Sequence, residues 1–436
     1  MTEFLNMNGK VCECGKTHSF DVNKIITGKG AVKKIPNAVK EYGVKKVFVF
    51  SDINTYEVAG RTVCELLGES GIAYTNYVIN NTALEPNEEC VGSVLMHYDT
   101  SCDFIIAVGS GVINDTGKIL SSVTGKPYMI VGTAPSMDGY ASASSSMNRD
   151  GLKVSLSTRS ADIIVGDTDI MKKAPTKMLA AGLGDMLAKY VSICDWRISN
   201  LINGEYYCEK IASLVRKALK KCIDNAEGLL KREDAAIEAV FEGLVICGAA
   251  MNYAGVSRPA SGCEHYFSHV WDMRAVEFGT KEDLHGIQCA IGTLMAARLF
   301  EKLKKIEPDR EKALEYVKNF DKEKWNESLC AFLGKGAESM IALEAKEGKY
   351  DAEKHEKRLE IIIENWDSIL KIVDEEVIPS TEIEKILVTI GAPRSVSEIG
   401  IDESVLPMTV KASKDIRDKY VLPRLLWDLG VLDEFV

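Results

Sequence analysis

The first third of the chain alternates short apolar, β-branched runs with amphipathic stretches. Lys46–Phe50, Ala73–Ile79, Phe104–Val108 and Tyr128–Val131 read as strands, with shorter ones near Lys153–Ser157 and Ile163–Gly166. Helical periodicity predicts helices over Ala31–Tyr42, Val58–Ser70 and Asn87–Tyr98. Continuous apolar strands separated by helices predict a parallel sheet covered on both faces. After Lys172-Lys173-Ala174-Pro175 helical periodicity stands almost alone, as over Glu209–Asn225, Asp234–Tyr253, Leu284–Lys304 and Glu353–Val373. The expected organisation is an α/β, Rossmann-like parallel-sheet domain over residues 1–170 followed by an all-α domain over 171–436. Lys302 to Lys371 is dense in Lys and Glu at i,i+4 spacing, which reads as solvated helix faces.

Composition narrows the function classes. The chain has 436 residues, 46% hydrophobic and 27% charged, enough for two domains of an ordinary soluble protein. A net charge of −11 argues against nucleic acid or an anionic membrane as partner, and an anionic small substrate would need its own local cations. No run approaches a spanning helix, and the N-terminus lacks a signal peptide's apolar core. The 12 cysteines are mostly scattered singly, as buried thiols of a reducing cytoplasm would be. Cys12-Glu13-Cys14 with His18 differs: two thiols and an imidazole could hold a structural zinc, or simply mark a tight turn.

Candidate chemistry concentrates in the second half. Three of the six histidines, His265, His269 and His285, lie close together in the sequence. His265 and His269 share a helix face at i,i+4, and Thr280-Lys281-Glu282-Asp283 reads as a capping-box variant starting a helix just before His285. Earlier, Gly182-Leu183-Gly184-Asp185 leads to Lys189, again four residues on. One carboxylate and two imidazoles around an open position is the layout of a catalytic metal site. Each histidine alone would pass as a polar surface or core residue.

In the first half, strand Phe104–Val108 runs into Gly109-Ser110-Gly111, followed by Asn114, Asp115 and Lys118. Such a turn brings backbone N–H groups and a helix N-terminus to a diphosphate, although it also occurs as plain structure. Asp52 and Asn54 end what reads as the first strand and suit ribose hydroxyls. A third loop carries Thr133, Ser136 and Asp138, the last also readable as a helix cap. All three loops follow strand carboxyl ends, where open α/β sheets bind ligands.

Together these motifs resemble the superfamily of dehydroquinate synthase, glycerol dehydrogenase and iron-type alcohol dehydrogenases. Within it the chain is most similar to the sn-glycerol-1-phosphate dehydrogenases of the bacterial AraM type. The family's glycine triplet with Asp-x-x-Lys corresponds to Gly109, Gly111, Asp115 and Lys118, with Ser110 replacing the middle glycine. Its substrate loop corresponds to Gly132–Gly139, departing at Gly132 and Pro135. Its G-x-G-D-x-x-x-K corresponds to Gly182–Lys189, and its S-R-P-A-S-G-S-E-H to Ser257–His265 with Cys263 for Ser. Phe267–His269, His285-Gly286, the Cys12–His18 motif and Ile416–Tyr420 extend the likeness, which spans residues 12 to about 430.

The resemblance implies a dehydroquinate synthase-like fold and Asp185, His265 and His285 as ligands of one divalent metal, zinc or nickel. It implies NAD or NADP at the Asp52–Asn54, Gly109–Lys118 and Thr133–Ser136 loops. Asp138 would contact substrate oxygens, and His269 would relay a proton. Lys189 and Arg258 are the candidates for gripping a substrate phosphate, with a plain salt bridge as the other reading of each. The implied reaction is reversible reduction of dihydroxyacetone phosphate to sn-glycerol 1-phosphate, a step of phospholipid biosynthesis, in a homo-oligomer. An unphosphorylated polyol dehydrogenase is the nearest rival. A dehydroquinate-synthase-like lyase normally shows Glu-x-x-x-Lys where this chain has Asp185 and Lys189. A non-catalytic binding protein fits worst, because the ligand set is complete.

Overall fold

In the computed structural model, which describes residues 7–150 and 152–436, the strands come first. β1 (Lys24–Gly28), β2 (Lys46–Asp52), β3 (Ala73–Ile79), β4 (Phe104–Gly109), β5 (Tyr128–Gly132) and β8 (Ile163–Asp167) form one parallel sheet. Its order is β1-β8-β5-β4-β2-β3. β4, β5 and β8 are buried along their whole lengths, as apolar strands covered on both faces must be. β6 (Ser144–Arg149) and β7 (Leu152–Ser157) make a separate antiparallel hairpin. The strand expected near Lys153–Ser157 therefore lies outside the main sheet.

β1 was not legible in the sequence. KIITG is short, sits at the sheet edge against β8, and buries only Ile26 well. β2 is consequently the second strand, not the first.

The helices α1 (Ile35–Glu41), α2 (Arg61–Glu69), α3 (Glu88–Met96) and α4 (Gly111–Thr124) match the expected periodic stretches, with local detail added. A 3₁₀ turn over Ala31–Lys34 precedes α1, whose first turn accommodates Pro36. Asn87 caps α3 by accepting from the Cys90 N–H at 3.0 Å. Gly109 allows α4 to turn tightly from β4, since a Cβ there would stand 2.5 Å from Ile113.

After β8 the described chain is helical; besides short turns at Thr168–Met171 and Ala226–Leu229 it includes α5 (Thr176–Leu187), α6 (Lys189–Asn203), α7 (Glu209–Asp224), α8 (Asp234–Ala254), α9 (Cys263–Phe278) and α10 (His285–Leu303). By internal contacts, residues 1–186 with 213–256 form one compact unit and 187–212 with 257–436 a second. The last strand ends at Asp167. The long helix expected over Glu353–Val373 is two helices, Ala352–Glu364 and Trp366–Glu376, broken at Asn365.

Within the first unit, α8 packs on the 3₁₀ turn Asp138–Ala141. Asn252 of α8 donates to the Ala141 carbonyl at 2.7 Å and to Ser160 Oγ at 3.0 Å. From another side α5 closes on the same loop at Gly182, where a Cβ would lie 1.8 Å from the Pro135 carbonyl oxygen. A backbone atom cannot step aside as a flexible side chain can. Gly182→Ala should therefore cost about 1–3 kcal/mol, the usual range for overpacking. A denaturant midpoint equal to the parent's would contradict this packing.

Candidate active site

The three loops come from adjacent strands, since β4 pairs with both β2 and β5. Asp52 ends β2 and accepts the N–H groups of Asn54 and Thr55 at 2.8 and 2.9 Å through Oδ1. Its side chain thus caps the following turn, with Thr55 completing a capping box. At the end of β4, Ser110 starts α4 without a side-chain cap, so the helix N-terminus is fronted by Ser110 and Gly111 backbone. That is a suitable seat for a diphosphate.

Asn114, Asp115 and Lys118 shape these loops. Asn114 is buried, donates to the Gly139 carbonyl at 3.0 Å, and accepts the Tyr128 hydroxyl at 3.1 Å. Lys118, also fully buried, bridges Asp115 at 3.1 Å, Ser142 Oγ at 3.1 Å and the Ser144 carbonyl at 2.8 Å. Burial pushes the Asp115 carboxyl up, partly offset by Lys118. The family's Asp-x-x-Lys pattern here ties α4 to the segment after Asp138. In the third loop Thr133 donates its N–H to Gly109 O at 3.1 Å, and Ser136 and Asp138 are buried. The Asp138 N–H donates to Asp185 Oδ2 at 2.9 Å. The third loop and the Asp185 carboxylate are thereby in direct hydrogen-bonded contact.

In the second unit the histidines converge. Ligand atoms of His265, His285 and Cys289 lie within 4.8 Å of one another. The His265 and His285 rings meet edge-on with centroids 4.9 Å apart. His269, one turn past His265, stands beside them at 6.3 Å from the His285 centroid. His265 Nδ1 lies 2.7 Å from Glu264 Oε1, which also accepts the Gly262 N–H at 2.8 Å. A carboxylate on Nδ1 makes Nε2 the lone-pair nitrogen, as in carboxylate–histidine–metal arrangements. Burial pushes the Glu264 carboxyl up to about 7. These donors fit a divalent cation. Glu264 and Cys289 were missed in the sequence, although Glu264 adjoins His265 and Cys289 follows His285 by one helical turn.

Two expectations change. Thr280–Asp283 forms no capping box: the helix begins at His285 without a side-chain cap, and Asp283 Oδ1 accepts the Leu284 N–H at 2.6 Å. The second change concerns Arg258, which is 1% exposed and takes the plain salt-bridge reading. It donates to Glu205 Oε1 at 2.8 Å, Glu205 Oε2 at 2.5 Å, Ser199 Oγ at 3.1 Å and the Tyr420 carbonyl at 2.8 Å. A guanidinium so committed has no fork left for a substrate phosphate. Lys189 is fully buried with Nζ 3.1 Å from the Ala260 carbonyl. Lys419, in the late Ile416–Tyr420 motif, donates likewise to the Ser261 carbonyl at 2.8 Å. Burial, then Arg258 and Arg417, push the Lys419 ammonium down to about 7.

Residues 26–175 match the iron-containing alcohol dehydrogenase family. The fold is like that of glycerol dehydrogenase from Schizosaccharomyces pombe, with a TM-score of 0.61 at 16% identity over 96% of this chain and 91% of that one. These define the fold class: a parallel sheet with helices followed by a helical part, as in glycerol dehydrogenase and iron-containing alcohol dehydrogenase folds. The chain is also 34% identical to glycerol-1-phosphate dehydrogenase [NAD(P)+] of Halalkalibacterium halodurans, over 68% of this chain and 76% of that protein. Against the Bacillus licheniformis protein of the same name it is 34% identical, over 67% and 74%. The chain belongs to the glycerol-1-phosphate dehydrogenase family.

Arg258→Ala should lower stability by roughly 1.5–3 kcal/mol or more, the range for hydrogen bonds to a charged group. Its effect on turnover should be the same with phosphorylated and unphosphorylated substrate. A selective loss with dihydroxyacetone phosphate would return Arg258 to the substrate site.

Proposed function

We infer that the chain catalyses NAD(P)-linked, reversible conversion between dihydroxyacetone phosphate and sn-glycerol 1-phosphate. The observation that carries this reading is its likeness to glycerol-1-phosphate dehydrogenases over two thirds of its length. The site geometry supports it: a buried carboxylate held by the substrate loop, and a histidine pair with one ring oriented by a buried glutamate.

We assign Asp185, His265 and His285 as the metal ligands, with zinc or nickel as the ion. An O/N/N set does not choose between them. When bound, the ion supplies Lewis-acid polarisation of the C2 carbonyl. When bound, a nicotinamide cofactor would supply the hydride chemistry at C2. The remaining work falls to side chains of this chain. Asp138 orients substrate oxygens, and its N–H fixes the Asp185 carboxylate. His269 passes the proton that converts the C2 oxygen to a hydroxyl. Asp52, Asn54, the Gly109–Gly111 turn, Thr133 and Ser136 hold the cofactor. Lys189 and Lys419 donate to the successive Ala260 and Ser261 carbonyls of the loop before His265, and we assign them the substrate phosphate. We place the enzyme in the cytoplasm, as a homo-oligomer serving phospholipid biosynthesis.

The test is NADH and NADPH oxidation with dihydroxyacetone phosphate and with dihydroxyacetone, after loading with zinc, nickel or iron. The phosphorylated substrate should be strongly preferred and the product should be the sn-1 enantiomer. Exclusive formation of the 3-phosphate would sink the assignment. His285→Ala should abolish turnover and lose the active-site ion while keeping the native circular dichroism spectrum.

Lys419→Ala should lower kcat/KM for dihydroxyacetone phosphate about 10- to 150-fold, the equivalent of one charge-assisted hydrogen bond. Dihydroxyacetone turnover should barely change. Equal slowing of both would favour an unphosphorylated polyol as substrate.

A further inference from the structure

The N-terminal cysteines take no part in the chemistry above, yet the backbone brings them together. A hairpin closes around residues 9–18: Val11 bridges Thr17, the Cys12 N–H donates to Lys16 O at 2.9 Å, and the Gly9 N–H donates to His18 O at 2.8 Å. The Gly15 N–H returns to Cys12 O at 2.9 Å with Gly15 at φ 84°, a turn most residues resist. As a result Cys12 Sγ, Cys14 Sγ and a His18 ring nitrogen all lie within 4.8 Å of one another.

The orientation of His18 is more specific than the clustering. Its Nδ1 lies 2.8 Å from the Tyr253 carbonyl oxygen. A carbonyl only accepts, so Nδ1 carries the proton and Nε2 presents its lone pair. Nε2 faces Cys14 Sγ at 3.4 Å. Metal bonds of about 2.3 Å to sulfur and 2.0–2.1 Å to nitrogen, at a tetrahedral angle, would place those two atoms about 3.6 Å apart. The ring is 1% exposed and rests against Tyr253 with centroids 5.8 Å apart, so its direction is held by packing. Cys12 is buried and Cys14 half-buried. Ligating histidines typically donate their second nitrogen to a carbonyl or carboxylate in this way.

We propose that Cys12, Cys14 and His18 bind a structural zinc ion, separate from the active-site metal, that staples the N-terminal hairpin to the end of α8. Soft thiolates with an imidazole select zinc, in contrast to the carboxylate-containing catalytic set. Binding replaces two thiol protons, which are released to solvent. A water or a further donor completes the tetrahedron. The staple would brace α8 at Tyr253, in the helix whose Gly248 and Asn252 support the Asp138 turn. The competing arrangement of the same atoms is a Cys14 S–H donating to Nε2 with no ion.

The experiment uses the full chain, saturated with zinc and desalted. Metal content by mass spectrometry should fall by about one zinc per chain in Cys14→Ser and in His18→Gln, while His285→Ala retains that ion. Unchanged zinc in a folded Cys14→Ser variant would overturn the proposal. Should those variants fail to fold, iodoacetamide labelling of the parent decides, read on the peptide holding Cys12 and Cys14. The half-buried Cys14 should be protected in the zinc-loaded chain and become reactive after a strong chelator. Equal labelling before and after chelation would establish the hydrogen-bonded thiol and remove the zinc.

Discussion

The close approach of α5 to the loop after β5 is the constraint on which the placement of Asp138 and Asp185 depends. Gly182 permits it, since any Cβ there would run into the Pro135 carbonyl. With the backbones this close, the Asp138 N–H reaches the Asp185 carboxylate. That bond does two things at once. It satisfies a buried N–H that would otherwise cost free energy, and it fixes one carboxylate oxygen in direction. Asp185 is fully buried, and a buried carboxylate persists only with such partners or a cation. α8 backs the same turn, with Gly248 lacking the Cβ that would strike the Asp138 carbonyl.

A parallel logic runs through the second unit, where a buried glutamate orients a histidine. Glu264 is held by the Gly262 N–H and in turn accepts His265 Nδ1–H. Holding a carboxylate and an imidazole in fixed directions reduces what binding of the proposed ion would have to reorganise. The cations nearby serve first as structure. Arg258 ties Ser199, Glu205 and Tyr420 together, and Lys189 and Lys419 grip successive carbonyls of the loop leading into His265. An acidic chain that handles a phosphorylated substrate thus keeps its local positive charge beside that loop.

Much of the site was legible because its elements are local in sequence. His265 and His269 at i,i+4 on one helix, the Gly109–Gly111 turn after an apolar strand, and the Gly182–Lys189 motif each depend on backbone periodicity and short-range turn chemistry. The same holds for the buried strands β4, β5 and β8, whose unbroken apolar runs have no other stable environment. Misreadings arose where local signals are weak or degenerate. β1 is an edge strand with one well-buried residue, and Thr280–Asp283 has a cap's composition although the helix starts later, at His285.

By itself the sequence determined the fold class, the helical second half and the identities of the candidate ligands, because these follow from hydrophobic period and residue chemistry. Tertiary structure decided what each polar group is used for. Arg258 could grip a phosphate or a glutamate until Glu205, 53 residues away, was placed against it. Glu264 became a histidine-orienting group only once its Oε1 met Nδ1 at 2.7 Å. His18 became a lone-pair donor because Tyr253, 235 residues distant, offers its carbonyl. Hydrogen-bond direction and burial are properties of partners far apart in the chain, and no local pattern encodes them.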